Sequence, residues 1–323
     1  MRFIGFLAVV LLHVVTHATT RVDLGGVIDH AMRFAVPVFF MISGYFAERG
    51  ARPPLVKWLR TFKRLAAIFL FWELVYNLAD ALVLHTRTQA LLSLGFLSDT
   101  LYSGGVAWHL WFLPSLALSL AVFLSLRRFG WPVLLAAAFG LYLVGLAVGP
   151  YGTALGISSV LDRAGIADGM ELARTLPLMG PIFVGLGAFL STLKTTDRWV
   201  AVLLLAVCGL LLQMAEAGAM TFAHGLFAPY DFLLGTLPFA LGAFLVLRVV
   251  RYPAIIAYLG GYALGMYCCH ILVLSLVNRG FDHIDWAGRA FARWPLTFAA
   301  VAALSILLTM ALARIRALRA VIS

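Results

Sequence analysis

The sequence predicts an all-α, polytopic integral membrane protein of about ten transmembrane helices with both termini in the cytoplasm. Three observations carry that expectation. The 323 residues are 63% hydrophobic and only 12% charged, with a mean hydropathy of +0.99, where about a quarter of a soluble domain would be charged. Apolar runs recur at the length a span needs, roughly 20 residues each. The breaks between them alternate in charge, as loops on opposite sides of a membrane do.

The runs lie at 3–20, 29–47, 65–84, 107–126, 131–149, 175–193, 199–217, 231–248, 255–277 and 294–313. One set of breaks is basic: Arg49, Arg52, Lys57, Arg60, Lys63 and Arg64, then Arg127 and Arg128, then Lys194 and Arg198, then Arg248 and Arg251. The tail continues that set with Arg314, Arg316 and Arg319, while the other breaks mix arginine with aspartate and hold no lysine. Positive-inside bias places the first set and both termini in the cytoplasm. A net charge of +10 would suggest nucleic acid in a soluble protein, but here topology accounts for it and no nucleic-acid partner is expected. No internal repeat or low-complexity tract appears, so residues 1–323 read as one domain. Cys208, Cys268 and Cys269 sit in apolar runs and form neither a disulfide framework nor a zinc spacing, so no metal site is expected. Gly261 and Gly265 form a small-xxx-small pair suited to close helix packing.

The first run, MRFIGFLAVVLLHVVTH, has a basic start and an apolar middle like a signal peptide. Its two histidines argue instead for a retained span. Eleven residues make three helical turns, so Arg2 and His13 share a face roughly 16 Å apart along the axis, and His17 lies one turn further on. In the second run, Asp29 and Arg33 form an i, i+4 pair, Pro37 should kink the helix, and Ser43 and Tyr45 lie deeper. Glu73, Asn77 and Asp80 share a face of the third run, with Glu73 near mid-depth. His109 opens the fourth run, and Tyr267 and His270 lie one turn apart in the ninth. A titratable group inside a bilayer is a functional candidate by default, and His13, His17, Arg33, Glu73, Asn77, His109 and His270 fall at the middle or outer half. Taken singly, each has a structural explanation. A lone intramembrane histidine often serves as an interhelical hydrogen bonder, Asp29 with Arg33 could be an interfacial ion pair of little worth, and Trp108 and Trp111 could be belt anchors.

Four stretches resemble the membrane acyltransferase-3 family, bacterial enzymes that O-acylate cell-surface carbohydrates. They are the R-X10-H spacing of Arg2 and His13, RFAVPVFFMISGYF at 33–46, WHLWFLP at 108–114 and ALGMYCCH at 263–270. The second, with its P-x-F-F-x-x-S-G pattern, is the most specific, and the four follow the family's order. The arginine follows Met1 directly, and an apolar stretch at Phe69–Phe71 replaces the family's early proline of the third span. The resemblance implies a stand-alone membrane domain with no fused hydrolase-like domain.

It also implies acetyl-CoA as a cytoplasmic co-substrate, no permanently bound cofactor, and a glycan acceptor, lipid-linked or polymeric, across the bacterial inner membrane. A periplasmic or membrane partner could present that acceptor. CoA phosphates call for cations at the inner face, where Arg2, Arg60, Lys63 and Arg64 stand. His13 would deprotonate the hydroxyl or carry the acyl group, with Glu73 orienting it. Arg33, Ser43, Tyr45, His109, Tyr267 and His270 would bind the acceptor or the oxyanion. The competing reading is a transporter or flippase of a glycan or lipid-linked sugar, which would also use polar intramembrane residues.

Overall fold

The computed structural model describes residues 1–16, 24–49, 54–84, 107–165, 168–194, 198–224, 230–284, 286 and 290–322. His17 lies outside them. Among the described residues all regular structure is helical, and eight helices are long and apolar enough to cross a membrane. Two shorter apolar helices, Arg2–Thr16 and Thr236–Val249, occupy the first and eighth expected runs.

The first half holds α1 (Arg2–Thr16), α2 (Leu24–Met32), α3 (Ala35–Glu48), α4 (Pro54–Ala79), α5 (Phe112–Arg127) and α6 (Trp131–Val148). Short helices α7 (Ile157–Arg163) and α8 (Gly169–Thr175) lead to α9 (Gly180–Thr192), α10 (Trp199–His224) and α11 (Thr236–Val249). The chain closes with α12 (Ala254–Gly260), α13 (Ala263–Asp282), α14 (Ala290–Arg314) and the short α15 (Arg319–Ile322).

Three expected runs are broken, each for a local reason. The second parts at Arg33–Phe34 into α2 and α3. Pro37 has no N–H to donate to the Arg33 carbonyl four residues back, and that missing bond falls at the break. The sixth is interrupted after its first residue and resumes only at Gly180 as α9, because Leu176 precedes Pro177 and is extended, with φ −70° and ψ 160°, while α8 lies in the expected loop before it. The ninth divides at Gly261–Tyr262 between α12 and α13, where adjacent Gly260 and Gly261 favour helix least. The third run starts earlier than expected. α4 begins at Pro54, so Arg60, Lys63 and Arg64 belong to the helix, not to a loop.

Helices in lipid gain little from the hydrophobic effect against one another, so close packing of small residues decides where they touch. The tightest crossing joins α3 to α9. A Cβ on Gly44 would lie 2.0 Å from the Val184 carbonyl oxygen, and one on Gly187 2.0 Å from that of Met41. The glycine of the SG motif is therefore a backbone contact. Gly265 plays the same part, where a Cβ would meet the Ile322 carbonyl at 2.6 Å and Thr309 at 2.9 Å. Gly261 would meet only the Tyr258 carbonyl of its own chain turn, so half of the expected small-residue pair serves packing. α1 sits in the middle, against α2, α3, α12, α13 and α14. Leu203, Leu204 and Leu211 of α10 and Leu304 and Leu307 of α14 point outward, as lipid-facing positions should.

Candidate active site

Three imidazoles from distant parts of the chain meet. His13 of α1 stacks on His270 of α13 with ring centroids 5.2 Å apart, and His109 stands edge-on to His270 at 5.1 Å. Trp108 presses edge-on to His13 at 4.9 Å. His109 and Trp108 reach this point because Trp108–Trp111 form a 3-10 turn, closed by the Leu110 N–H donating to the Ala107 carbonyl at 2.8 Å. Nδ1 of His270 donates to the Tyr267 carbonyl, so Nε2 carries its lone pair. That nitrogen is buried and has no hydrogen-bond partner among the described residues. Nε2 of His109 faces the Cys268 carbonyl at 3.2 Å, which makes Nδ1 its lone-pair atom, likewise buried without a partner among the described residues.

Tyr76 of α4 holds this arrangement from behind. Its hydroxyl donates to the Cys268 carbonyl at 2.8 Å and accepts from the Leu272 N–H at 3.0 Å. The phenol bridges these two backbone groups of α13 from the side. Its oxygen also lies 3.4 Å from Nε2 of His109.

Beside the imidazoles runs a chain of charges. Thr16 donates to Asp29, and Arg33 donates to both oxygens of Asp29, at 2.8 and 3.1 Å. The other end of the Arg33 guanidinium reaches Asp231 at 2.7 Å, and Asp231 accepts from Arg174 at 3.1 Å. Asp29 is wholly buried and Arg33 6% exposed. Far from an interfacial pair, this is a desolvated network in which each charge is matched. Asp168 caps α8 by accepting from the N–H groups of Met170 and Glu171 and so aims Arg174 inward. The stretch carrying Asp231 is fixed by Glu216, which accepts from the Leu234 and Gly235 N–H groups at 3.1 and 2.8 Å. Tyr142, donating to the Leu233 carbonyl, holds it from the other side.

Two chambers meet at this core. The larger, about 280 Å³, is lined by Arg2, Ser43, Trp58, Arg64 and Tyr267 among apolar residues such as Phe39, Phe112 and Leu116. The smaller, about 40 Å³, is lined by His13, Arg33, Trp108, His109, Asp231 and Tyr267 among others. α1 therefore presents Arg2 to one chamber and His13 to the other.

The family model described as an acyltransferase domain, acyltransferase-3, matches residues 1–314. The chain belongs to the acyltransferase-3 family. A serine/alanine racemase of Enterococcus gallinarum is 28% identical over 224 residues, which are 61% of this chain and 28% of that protein. This chain thus spans under a third of the relative's length. No solved structure matches it.

In this acyltransferase the expected site residues separate into groups. His13, Arg33, His109 and Tyr267 line the small chamber, with His270 stacked behind His13. Arg2 and Arg64 line the large one, whereas Arg60 and Lys63 are exposed on α4 and line neither. Ser43 lines the large chamber and donates to the Phe39 carbonyl at 2.9 Å. Tyr45 lies between the guanidinium groups of Arg49 and Arg248, 4.9 and 5.3 Å from its ring, and lines a separate groove with Arg2. Glu73 is buried on α4 and lines neither chamber. Asp231, Arg174 and Tyr76 escaped the sequence reading. Asp231 and Arg174 stand at the edges of apparent loops, and nothing in the sequence sets Tyr76 apart from other aromatic residues of the run.

The small chamber can carry out proton transfer. It has an imidazole at its wall, two further lone-pair nitrogens beside it, and a positively charged guanidinium whose carboxylate partners keep it fixed.

Proposed function

We propose that this enzyme takes an acetyl group from acetyl-CoA at the cytoplasmic face of a bacterial inner membrane. It passes that group to a hydroxyl of a cell-surface or exported polysaccharide, or of its lipid-linked precursor. The observation that carries the reading is that Arg2 and His13, on one face of α1, open into two different chambers. The large chamber combines an apolar wall with Arg2 and Arg64, which suits an extended thioester arm ending in phosphates. The small chamber has the base.

In the proposed reaction His13 takes the proton of the acceptor hydroxyl as its oxygen attacks the thioester carbonyl. The new C–O bond forms, the C–S bond breaks, and the imidazolium returns the proton to the departing CoA thiolate. Arg33 supplies fixed positive charge for the tetrahedral oxyanion.

The test is reconstitution in phospholipid vesicles with acetyl-CoA labelled in the acetyl group and a glycan fraction from the host envelope. Label on the glycan, lost in His13→Ala at equal insertion, is expected. Glycan crossing the bilayer without label would establish a transporter instead.

A further inference from the structure

Among the described residues lining the two chambers, Tyr267 is common to both. Its ring lies against Phe112 at 5.6 Å and Phe39 at 6.4 Å, both of which line the large chamber. On its other side it meets His109 and His270, each at 5.6 Å. The hydroxyl donates to the His109 backbone carbonyl, which pins the ring across the boundary. Tyr267 is 4% exposed, so it is a wall between two spaces. Beyond it the room is small. The second chamber is about 40 Å³, where one water needs about 10–15 Å³, so a group of only a few heavy atoms fits.

A thioester arm reaching His13 from the Arg2 side advances with its acyl tail leading its carbonyl. The length of that tail therefore decides how far the carbonyl can go. We infer that Tyr267 is the specificity-determining residue for acyl size, admitting a two-carbon group to the His13 chamber and holding longer straight-chain acyl groups back. This rests on the acyl-CoA reading above and adds the residue that chooses among acyl donors. The chemistry is unchanged: the thioester C–S bond breaks, the ester C–O bond forms, and the hydroxyl proton leaves on the CoA thiol through His13. Tyr267 takes no part in these bond changes.

The experiment uses the full chain in phospholipid vesicles with acetyl-, butyryl- and hexanoyl-CoA, reading free CoA released and acyl label on the envelope glycan fraction. Wild type should prefer acetyl over butyryl by about a hundredfold or more, since each of the two methylenes refused is worth roughly tenfold or more, and should prefer acetyl over hexanoyl more strongly still. Tyr267→Ala, which joins the two spaces, should reduce that preference by about tenfold or more. Tyr267→Phe keeps the ring, loses its pin, and should preserve the preference. Should Tyr267→Ala fail to insert, Tyr267→Leu and the wild-type preference decide. Acetyl turnover with an unaltered preference in the opened variant, or wild type using hexanoyl-CoA as readily as acetyl-CoA, overturns this inference alone. No turnover of any acyl-CoA by wild type removes the acyl-CoA reading and this inference with it.

Discussion

His13 and His270 stack with their rings inclined by 26° and centroids 5.2 Å apart. The hydrogen bond from His270 Nδ1 to the Tyr267 carbonyl turns its lone-pair nitrogen away from that carbonyl, into the cluster. In the proposed reaction His13, on lifting a proton, would have a second imidazole in ring contact with it. His13→Ala should abolish label transfer at wild-type insertion. His270→Ala should lower kcat by about a hundredfold, the low end for acid–base groups, with the KM for acetyl-CoA little changed. An equal effect on KM would mean that His270 only shapes the chamber.

Arg2 and Arg64 line the large chamber, while Arg60 and Lys63 are exposed and do not line it. Arg2→Glu is expected to raise the Kd for acetyl-CoA by about tenfold or more, the value of one charge-assisted contact. Arg60→Gln and Lys63→Gln should leave it within about twofold, as exposed charges do. Calorimetric titration of the detergent-solubilised protein separates the two pairs.

Much of this architecture could be read from residue order, because hydropathy reports spans directly and i, i+4 spacing reports faces. Arg2 with His13, and Asp29 with Arg33, were visible for that reason. Asp231, Arg174 and Tyr76 were not, because what they do depends on partners far away in the chain. Nothing in a single helix reveals that a tyrosine hydroxyl will bridge two backbone groups of another helix. The same blindness explains the six basic residues from Arg49 to Arg64. Charge alone cannot tell a chamber wall from an exposed face: among the described side chains of that group, Arg64 lines the large chamber while Arg60 and Lys63 do not.

Asp29→Asn would leave Arg33 with Asp231 as its remaining carboxylate. Removing one partner of a buried pair typically costs about 3–5 kcal/mol, so the variant should lose thermal stability in detergent by several degrees. Replacing Asp29 and Arg33 together by Leu and Met should recover part of that loss. Tm measured by intrinsic fluorescence reads both.

Tyr76→Phe removes the oxygen that joins Leu272 to Cys268 and touches His109. Leaving a buried donor and acceptor unmatched costs about 1–3 kcal/mol each at most, and these two groups, at helical hydrogen-bond spacing in α13, can pair with each other. Stability should therefore fall modestly while kcat falls further, because His109 loses its support. A fall in Tm with kcat unchanged would reduce Tyr76 to a packing residue.

Gly44→Ala places a methyl group 2.0 Å from the Val184 carbonyl oxygen. Backbone cannot move aside as a flexible side chain can, so α3 and α9 should separate and the protein should fail to accumulate in the membrane. Immunoblotting of membrane fractions is sufficient to see it. Normal accumulation would show that the crossing has slack.

A conduit running through a membrane protein from one face to the other is a hazard as well as a route. An open aqueous path would dissipate ion gradients, since each charge crossing releases about 2.3 kcal/mol per 100 mV of potential. The Tyr267 ring, pinned by its hydroxyl to the His109 carbonyl, stands between the two chambers, where in the proposed reaction it would keep such a path shut. In the proposed reaction an acyl group would be handed across such a partition while the cell keeps its voltage.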